Sequence, residues 1–526
     1  MVAASELPIN EGASAVQMAN EIFGNGATVV GASYSGWSQS SGIYYNGDSV
    51  APGATPSDTG VILSTGRASH FTNSRGQANQ DTNTSTNTRG PNNDAQFNAL
   101  AGTNTYDASI LTVDFIPEGD TMSIQFIYSS EEYPEYVNSI YNDLVGVWVN
   151  GAPVSLAVGD GDSDIGNVNA TNNMNLFQNN SNDDYNTEMD GFTVTLTLTL
   201  NVNPGVVNSI RIGIADVADS NYDSNLLIAG GSIQSDVLAY DDDYDVVQNG
   251  STTFDVLAND VEGDGGTLTI THINGQAVTA GSTVTLASGA QVTLNADGTF
   301  GYENDLDIEE VSFTYTTENS AGVSDTAFVT VNTIPCFVAG TLVQTPSGLR
   351  QVEQLQPGDL VTTKDDGPQP VRWIGSRTVD ATAALAPIRI EAGAFGDHGT
   401  LSVSPQHRVL ITDEMAEVLF GSKEVLVAAK DLINDKTVRR DTTLREVTYV
   451  HILFDTHQVI YSEGLATESF LPGPQSLQSF EHDVIHEICT IFPEIDPMTG
   501  HGYGAAARTS LKGYEAQVLM AQGYAA

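Results

Sequence analysis

The sequence predicts a mainly β protein whose 526 residues form consecutive β domains and a short helical tail. Apolar side chains alternate with polar ones along many short runs, and turn residues separate these runs. The charge changes abruptly at residue 336, which indicates a major domain boundary. The predicted units are a β-sandwich over 1–234, a second sandwich over 235–333, an all-β domain over 336–475 and a partly helical tail over 476–526.

The charge distribution excludes one class of partner. The net charge is -48, and residues 1–335 hold 42 of the 66 acids but only 4 of the 18 bases. A surface of this sign repels phosphate backbones, so we expect no nucleic-acid binding. Two cysteines do not make a disulfide framework, and the 40% hydrophobic content suffices for packed cores.

The first unit contains the clearest strand patterns. In 191–202 (GFTVTLTLTLNV) apolar residues alternate with threonine, and 209–216 and 123–128 repeat the pattern. A period of two is typical of half-buried strands. The stretch 72–98 is rich in Asn, Thr, Gln and Gly, and it predicts a long loop or a poorly ordered excursion.

The later units also consist of short strands. Residues 284–286 and 291–294 flank a four-residue connection, and 313–317 and 327–331 flank another turn, as in a sandwich. After residue 336, short β-type runs at 341–344, 370–374, 424–428, 447–454 and 459–461 alternate with turns. Only 504–522 has apolar residues at helical spacing, so it is the predicted helix.

Clusters of acids suggest calcium sites, because Ca²⁺ prefers several carboxylate and carbonyl oxygens on a turning backbone. The alternative is that these acids lie in solvated loops and bind no metal. The run 160–164 (DGDSD) offers acids at alternate positions but lacks the spacing of an EF-hand. The named candidate calcium ligands are Glu131, Glu132, Asp143, Asp216, Asp219, Asp223, Asn259 and Asp260.

Two resemblances cover the acidic part of the chain. GVILSTG (60–66), FIYSSEEYPEYVNSIYNDLVGVWVNG (126–151) and IADVADSNYDSNLLIAG (214–230) resemble the choice-of-anchor L domain. This resemblance implies a β-sandwich at or beyond the cell surface, without a known ligand. TTFDVLANDVEGDGGTLTI (252–270) and LNADGTFGYE (294–303) resemble cadherin-like, Ig-like repeats of bacterial secreted proteins, which are often stiffened by calcium.

Cys336 is the most specific candidate for a catalytic residue. A thiol at the start of a domain can attack the preceding carbonyl and convert the peptide bond to a thioester, given groups that polarise the amide and move protons. Ser404 and His407 share one turn, and Asp455 and His457 share one face of an extended strand. These residue types suit acyl transfer, although a lone cysteine or histidine is more often structural.

The order of the motifs resembles the Hint domain of hedgehog proteins and inteins. CFVAGTLVQTPSGLRQVEQLQPGDLV (336–361) is followed by GPQPVRWIG (367–375), LSVSPQHRVLI (401–411) and VTYVHILFDTHQVIYSEGLATESF (447–470). The resemblance implies a horseshoe-like all-β fold. It implies that Cys336 attacks the Pro335 carbonyl and that His407 activates this amide. Ser404 takes the place of the usual threonine, and Asp455 and His457 support proton transfer.

Two features depart from the family pattern. Pro335 restricts φ beside the carbonyl that is attacked, which either slows the shift or strains the bond usefully. No His-Asn pair followed by Cys, Ser or Thr occurs in the chain, and inteins use that asparagine to release the second junction. We therefore expect cleavage at Pro335–Cys336 without splicing.

The favoured interpretation is a secreted bacterial protein whose Hint domain, a cis-acting and single-turnover autoprotease, releases or transfers the 1–335 passenger. The alternative is a calcium-binding adhesive or structural surface protein with an inactive Hint domain. A hydrolase acting in trans has little support, because GxSxG and HExxH motifs do not occur.

Partners and location follow from the same reasoning. The acceptor is an unidentified nucleophile (water, an amine, a thiol or a hydroxyl), cleavage requires no cofactor, and a cell-surface partner is compatible with the passenger. Residues 1–20 show no Sec-type signal, and no apolar run is long enough for a membrane-spanning helix. We therefore expect an extracellular or cell-surface protein exported by a type I-like route.

Overall fold

A computed structural model describes most of the chain. The residues outside the description are 1, 81–83, 138, 140, 157–164, 247–250, 264–265, 304–309, 334–335, 382–385, 435, 472–491, 493–502, 504–505, 512 and 522–526. Pro335 and the 160–164 run therefore lie outside the described residues, as does Cys489, the second cysteine of the sequence. Within the described part, no helix is both long and apolar enough to cross a membrane.

The first unit consists of two facing antiparallel sheets, as the sequence predicts. One sheet has the spatial order Ile9–Asn10, Ser41–Tyr44, Gly60–Ser64, Ser224–Ala229, Thr121–Ser130, Gly191–Thr193 and Phe177–Asn179, and Leu196–Asn201 also pairs with Thr121–Ser130. The other has the order Ala27–Ser35, Thr105–Pro117, Asn208–Val217, Leu144–Val149 and Ala152–Pro153. Apolar side chains from both sheets share one core, because alternate residues of each strand face inward.

The pattern over 191–202 forms two strands rather than one. Gly191–Thr193 and Leu196–Asn201 both pair with Thr121–Ser130, but the ladder is interrupted between them. The N–H of Val194 turns to the carbonyl of Leu176, and the Thr193 hydroxyl accepts from the N–H of Tyr128. A period-two pattern does not show such an interruption, because it reports side-chain faces and not backbone pairing.

The second unit is a smaller sandwich of two sheets. Its five-stranded sheet has the order Asp242–Val246, Ser324–Thr333, Glu310–Glu318, Thr269–Ile273 and Gln276–Ala277. Its four-stranded sheet has the order Ser251–Phe254, Phe300–Glu303, Gln291–Leu294 and Thr283–Thr285. The predicted hairpins around 287–290 and 319–322 both form. Aromatic rings fill the space between the sheets.

The third unit is all-β around its own core. A six-stranded sheet has the order Trp373–Asp380, Glu446–Leu453, Phe337–Val338, Leu401–Val403, Ile388–Ile390 and Val438–Arg440. A seven-stranded sheet has the order Gly348–Gln351, Leu342–Thr345, Val459–Ser462, Leu465–Glu468, Arg408–Thr412, Glu424–Ala428 and Thr509–Ser510. Leu360–Thr362 and Pro368–Pro370 form a separate pair. The mainly β fold class is thus confirmed.

Helices are short and peripheral in the described residues. The α-helices are Ala15–Ile22, Gly47–Val50, Ala95–Ala101, Glu414–Phe420 and Gly513–Ala521, and the 3₁₀ turns are Ala68–Phe71, Met174–Leu176, Val352–Gln354 and Ala429–Leu432. The helical prediction over 504–522 is too long at its start. There Thr509–Ser510 extends beside the edge strand Glu424–Ala428, and the N–H of Leu511 donates to the carbonyl of Leu426, which satisfies that edge.

The first two units share an interface. Phe328 of the second sandwich packs into the core of the first. Asn175 donates to the carbonyl of Ser312 at 3.1 Å and accepts from the N–H of Ser288 at 2.7 Å. Gln125 donates to the carbonyl of Ser324 at 3.1 Å. A shared core residue and paired amides couple the two sandwiches, because separating them would leave these polar groups without partners.

We expect Phe328→Ala to destabilise both sandwiches together, by about 2–4 kcal/mol, because it leaves a cavity at their junction. Scanning calorimetry of the full chain measures this as a shift in the transitions of both units. Phe313→Ala, which lies inside the second core, is the matched control and should shift mainly the second unit. A Phe328→Ala shift confined to one transition would contradict the coupling.

Candidate active site

Cys336 lies at the entry to the third unit, just before the strand Phe337–Val338. This strand lies between Leu401–Val403 and Glu446–Leu453, and Phe337 is opposite both Val403 and Val450. The cysteine is only 7% exposed and packs against Ala381, Val447 and Tyr449. Because strands flank this short segment on both sides, the position of Cys336 is fixed by the sheet.

Ser404 forms two reciprocal hydrogen bonds with Cys336. The N–H of Cys336 donates to Oγ of Ser404 at 2.8 Å, and the N–H of Ser404 donates to the carbonyl of Cys336 at 2.9 Å. Both residues are buried. The hydroxyl thus contacts the nitrogen of the Pro335–Cys336 peptide, which is where the predicted chemistry needs a polar group.

His451 lies beside the thiol and was missed by the sequence analysis. Its Nε2 is 3.5 Å from Sγ of Cys336, and its side chain is buried. It belongs to Glu446–Leu453, where Val447, Tyr449 and His451 alternate onto one face of the strand. An imidazole on the face that packs against Cys336 was the signal that could have identified it.

Burial controls the ionisation of the thiol. It raises the pKa of Cys336 well above its usual range, and the Ser404 hydroxyl offsets this only in part. Desolvation disfavours the charged form of a buried thiol. At neutral pH Cys336 is therefore a thiol in this conformation, so reaction requires a base such as the adjacent His451.

His407 is buried and electrically neutral. Its ring meets the ring of Phe337 edge-on, with centroids 4.3 Å apart, and its N–H donates to the carbonyl of Ser404 in the same turn. Burial lowers the pKa of His407 to about 4. Neither ring nitrogen has a hydrogen-bond partner among the described residues. A neutral imidazole whose nitrogens have no such partner can donate or accept a proton.

Asp455 and His457 have other partners. Asp455 binds Arg372 through two bonds of 2.7 Å, and its side chain is half exposed. His457 is buried, with Nε2 3.1 Å from the carbonyl of Ser469. The structure thus brings Cys336 together with Ser404 and His451, whereas the proton-transfer roles of Asp455 and His457 stay predictions.

Glu468 is a buried carboxylate behind these histidines. Burial alone would raise its pKa, but the charge of Arg408 and the hydrogen bond from His457 outweigh burial and lower the pKa to about 2. Nε2 of His457 lies 3.5 Å from Oε2 of Glu468, and Oε1 accepts from the N–H of Arg408 at 2.8 Å. Glu468 therefore links His457 to the backbone next to His407.

The acidic candidates of the first sandwich other than Asp219 lie close together and are almost fully buried. Asp143 accepts from the N–H of Val217 at 3.1 Å and from the hydroxyl of Ser224 at 2.7 Å. Glu132 accepts from the N–H of Asp143 at 3.2 Å. Burial and the neighbouring carboxylates raise the pKa of Asp143 and also that of Asp216. This is a buried polar network rather than a solvated acidic face.

Three buried carboxylates, two of them candidate calcium ligands, hold the long loop that follows Phe71. Glu131 accepts from the N–H of Thr84, Asp223 from that of Thr86, and Asp107 from those of Thr88 and Gly90. The loop donates with alternate residues, as an extended segment does. These acids therefore satisfy the backbone of a loop that has few apolar residues.

The remaining candidate calcium ligands form hydrogen bonds with other residues of the chain. Asp219 accepts from the N–H of Asn221, and Asn259 donates to the carbonyl of Asp241. Asp260 accepts from the N–H of Tyr240 and the hydroxyl of Tyr315. In the described part of the chain, no group of three or more His, Cys, Asp or Glu is arranged to hold a metal ion. Calcium binding at these positions stays a prediction.

Comparison with protein families identifies all three units. Residues 8–234 match the choice-of-anchor L domain, 234–332 the bacterial Ig domain and 335–474 the Hint domain. The chain therefore combines these three domains, and the predicted resemblances are confirmed. At the level of the family, the Hint domain is a self-processing domain, and the choice-of-anchor L domain indicates a cell-surface protein.

Solved structures of inteins are similar to the third unit. The gp41-1 intein is 16% identical over 25% of this chain and 97% of its own, with a TM-score of 0.17. The bacterial intein-like domain from Clostridium thermocellum is 15% identical over 26% and 97%, with a TM-score of 0.19. The MchDnaB-1 intein is 14% identical over 25% and 98%, with a TM-score of 0.17. Comparison with curated proteins gave no significant match.

We expect Asp242→Asn to stabilise the Ig domain at pH 8 by about 1–3 kcal/mol. Burial and the charge of Asp260 raise the pKa of Asp242 from 3.8 to about 8. The folded state therefore binds more protons than the unfolded state, and stability falls as pH rises from about 4 to 8. Denaturant titrations at pH 5 and 8 should show a flatter pH dependence in the variant. The exposed neighbour Asp243→Asn is the control, and an unchanged pH dependence in Asp242→Asn would contradict the assignment.

Proposed function

We propose that the chain cleaves itself at Pro335–Cys336 through a thioester and so separates the 1–335 passenger from the Hint domain. The observation that carries the proposal is the buried arrangement around Cys336, in which Ser404 contacts the scissile nitrogen and His451 contacts the thiol. The proposed nucleophile Cys336, the proposed base His451 and Ser404 all lie in or next to strands of one sheet. Intramolecular acyl transfer requires its reacting groups to be held close together in this way.

The first step is an N-to-S acyl shift. His451 accepts the proton of the Cys336 thiol, and the sulfur attacks the carbonyl carbon of Pro335. The C–N bond to Cys336 breaks, and the nitrogen takes a proton to become a free amine. The thiol proton thus ends on the amine, so the step consumes no external reactant. His451 acts at the sulfur because the burial of Cys336 keeps the thiol protonated at neutral pH.

Ser404 and His407 act at the scissile amide. In the resting state the Ser404 hydroxyl accepts the N–H of Cys336, which fixes the plane of the peptide. His407 stays neutral because its pKa is about 4, so one of its nitrogens can donate a proton to the departing amine while the other regains the thiol proton that His451 accepted. Two groups on one turn thus address the same bond, as the motif order implies.

The second step consumes the thioester. Water releases the passenger as a free acid, whereas an amine, thiol or hydroxyl acceptor would become attached to residue 335. The choice-of-anchor L domain supports the cell surface as the destination of the passenger. Secretion by a type I-like route is part of the same proposal, and it agrees with the acidic, lysine-free passenger.

We expect the wild-type chain, incubated with a thiol or hydroxylamine, to give fragments 1–335 and 336–526, because both reagents attack thioesters. Cys336→Ala should remain intact under the same conditions, since it lacks the nucleophile. Intact mass spectrometry of both samples measures this, and extra mass on the first fragment identifies the acceptor. A wild-type chain that stays whole with either reagent would contradict self-cleavage and favour an adhesive protein with an inactive Hint domain.

We expect His451→Gln to slow cleavage about 10²-fold or more, which is the usual contribution of a general base. Glutamine keeps a polar side chain of similar reach but does not accept the thiol proton. The rate of fragment formation is followed by mass spectrometry at several pH values. His70→Gln, an exposed histidine of the anchor domain, is the matched control and should cleave as the wild type does. Equal rates in the two variants would remove His451 from the mechanism.

A further inference from the structure

A segment beyond the family match returns to the Hint domain. It comprises Ala506–Leu511 and Gly513–Ala521 and is called the docking segment here. Thr509–Ser510 adds a parallel strand beside Val425–Leu426, which lies at the edge of the seven-stranded sheet. The side chains of Leu511, Ala516 and Leu519 are buried in the Hint core, although the Hint match ends at residue 474. The segment is therefore part of this fold.

Charge also holds the docking segment in place. The guanidinium of Arg508 binds Glu424 at 2.7 Å and Asp365 at 2.8 Å. Arg508 is 21% exposed, so solvent screens these ion pairs only in part. A fork of two carboxylates fixes the residue directly after Ala507. The N–H of Ala507 consequently has a defined direction.

The N–H of Ala507 contacts a histidine of the Hint motif. Ala507 donates to Nδ1 of His457 at 2.9 Å. A backbone amide only donates, so Nδ1 must be the unprotonated nitrogen. The proton of His457 then resides on Nε2, which faces the carbonyl of Ser469 and the carboxylate of Glu468. The docking segment thus selects one neutral tautomer of His457.

From His457 a continuous series of contacts leads to His407. One carboxylate oxygen of Glu468 lies 3.5 Å from Nε2 of His457, and the other accepts a hydrogen bond from the backbone N–H of Arg408. Arg408 follows His407 in the chain, so Glu468 fixes the backbone that carries the His407 ring. The two histidines and Glu468 are all buried, which leaves the network few alternative arrangements.

We propose that the docking segment is an internal positioning element of the cleavage site, which holds His407 through the Ala507–His457–Glu468–Arg408 contacts. The proposal rests on the proposed self-cleavage for its consequence and on these contacts for its geometry. His457 acts here as a positioning residue. Undocking of the segment removes the hydrogen bond to Nδ1 of His457 and releases the support behind His407.

The test removes one hydrogen-bond donor of the backbone. Ala507→Pro lacks the N–H that contacts His457, and Ala506→Pro places the same ring one residue earlier while keeping that N–H. We expect Ala507→Pro to cleave about tenfold more slowly than Ala506→Pro with added thiol, which is the scale of one lost hydrogen bond in a buried network. Arg508→Gln, which loosens the ion pairs, should slow cleavage less.

A spectroscopic measurement separates positioning from loss of fold. In the full chain labelled with ¹⁵N-histidine, we expect Nδ1 of His457 to be unprotonated at neutral pH in the wild type and Ala506→Pro. In Ala507→Pro, which no longer donates to Nδ1, we expect the resonances of His457 and of His407 to shift. Substitution of His457 assigns its signals.

Each outcome decides the proposal. Unchanged His457 and His407 resonances in Ala507→Pro would overturn it, and so would changed resonances with a cleavage rate equal to that of Ala506→Pro. A wild-type chain that does not cleave at all would defeat the proposed function instead. In that case the resonances alone decide whether the docking segment positions His407.

Discussion

The reciprocal pair of hydrogen bonds between Cys336 and Ser404 is the constraint on which the site depends. It joins the start of the Hint domain to the turn that carries His407, and it does so through the backbone of both residues. Because Phe337–Val338 lies between two other strands, neither partner can move without breaking the sheet. The geometry at the nitrogen of Cys336 is therefore a property of the sheet rather than of a loop.

Burial acts in opposite directions on the pKa values of Cys336 and His407. It raises the pKa of the Cys336 thiol and lowers that of His407, so both are uncharged in the resting state. A neutral thiol beside neutral imidazoles is stable in a medium of low polarity, whereas a thiolate–imidazolium pair is not. In the proposed acyl shift, proton transfer from Cys336 to His451 would create charge that burial of the site disfavours.

Sequence reasoning located Cys336 and the Ser404–His407 turn because the order of the motifs defines their positions. It missed His451 because the role of this histidine depends on which residues the neighbouring strands bring beside it. A period of two does not show which strands pair when they are more than a hundred residues apart in the sequence. The same limit explains the tail. Helical spacing over 504–522 was visible, but an available sheet edge at Glu424–Ala428 imposes the extended conformation of Thr509–Ser510.

The acids of the first sandwich show why residue type alone does not define a site. From the sequence, Glu131 and Asp223 were candidate calcium ligands or solvated charges, and Asp107 was not singled out. In the structure each of the three accepts a backbone N–H of the loop after Phe71. A loop rich in Asn and Thr buries too little apolar surface to hold itself against the sheet. Buried carboxylates supply stronger, charge-assisted acceptors, so part of the negative charge of the passenger is structural.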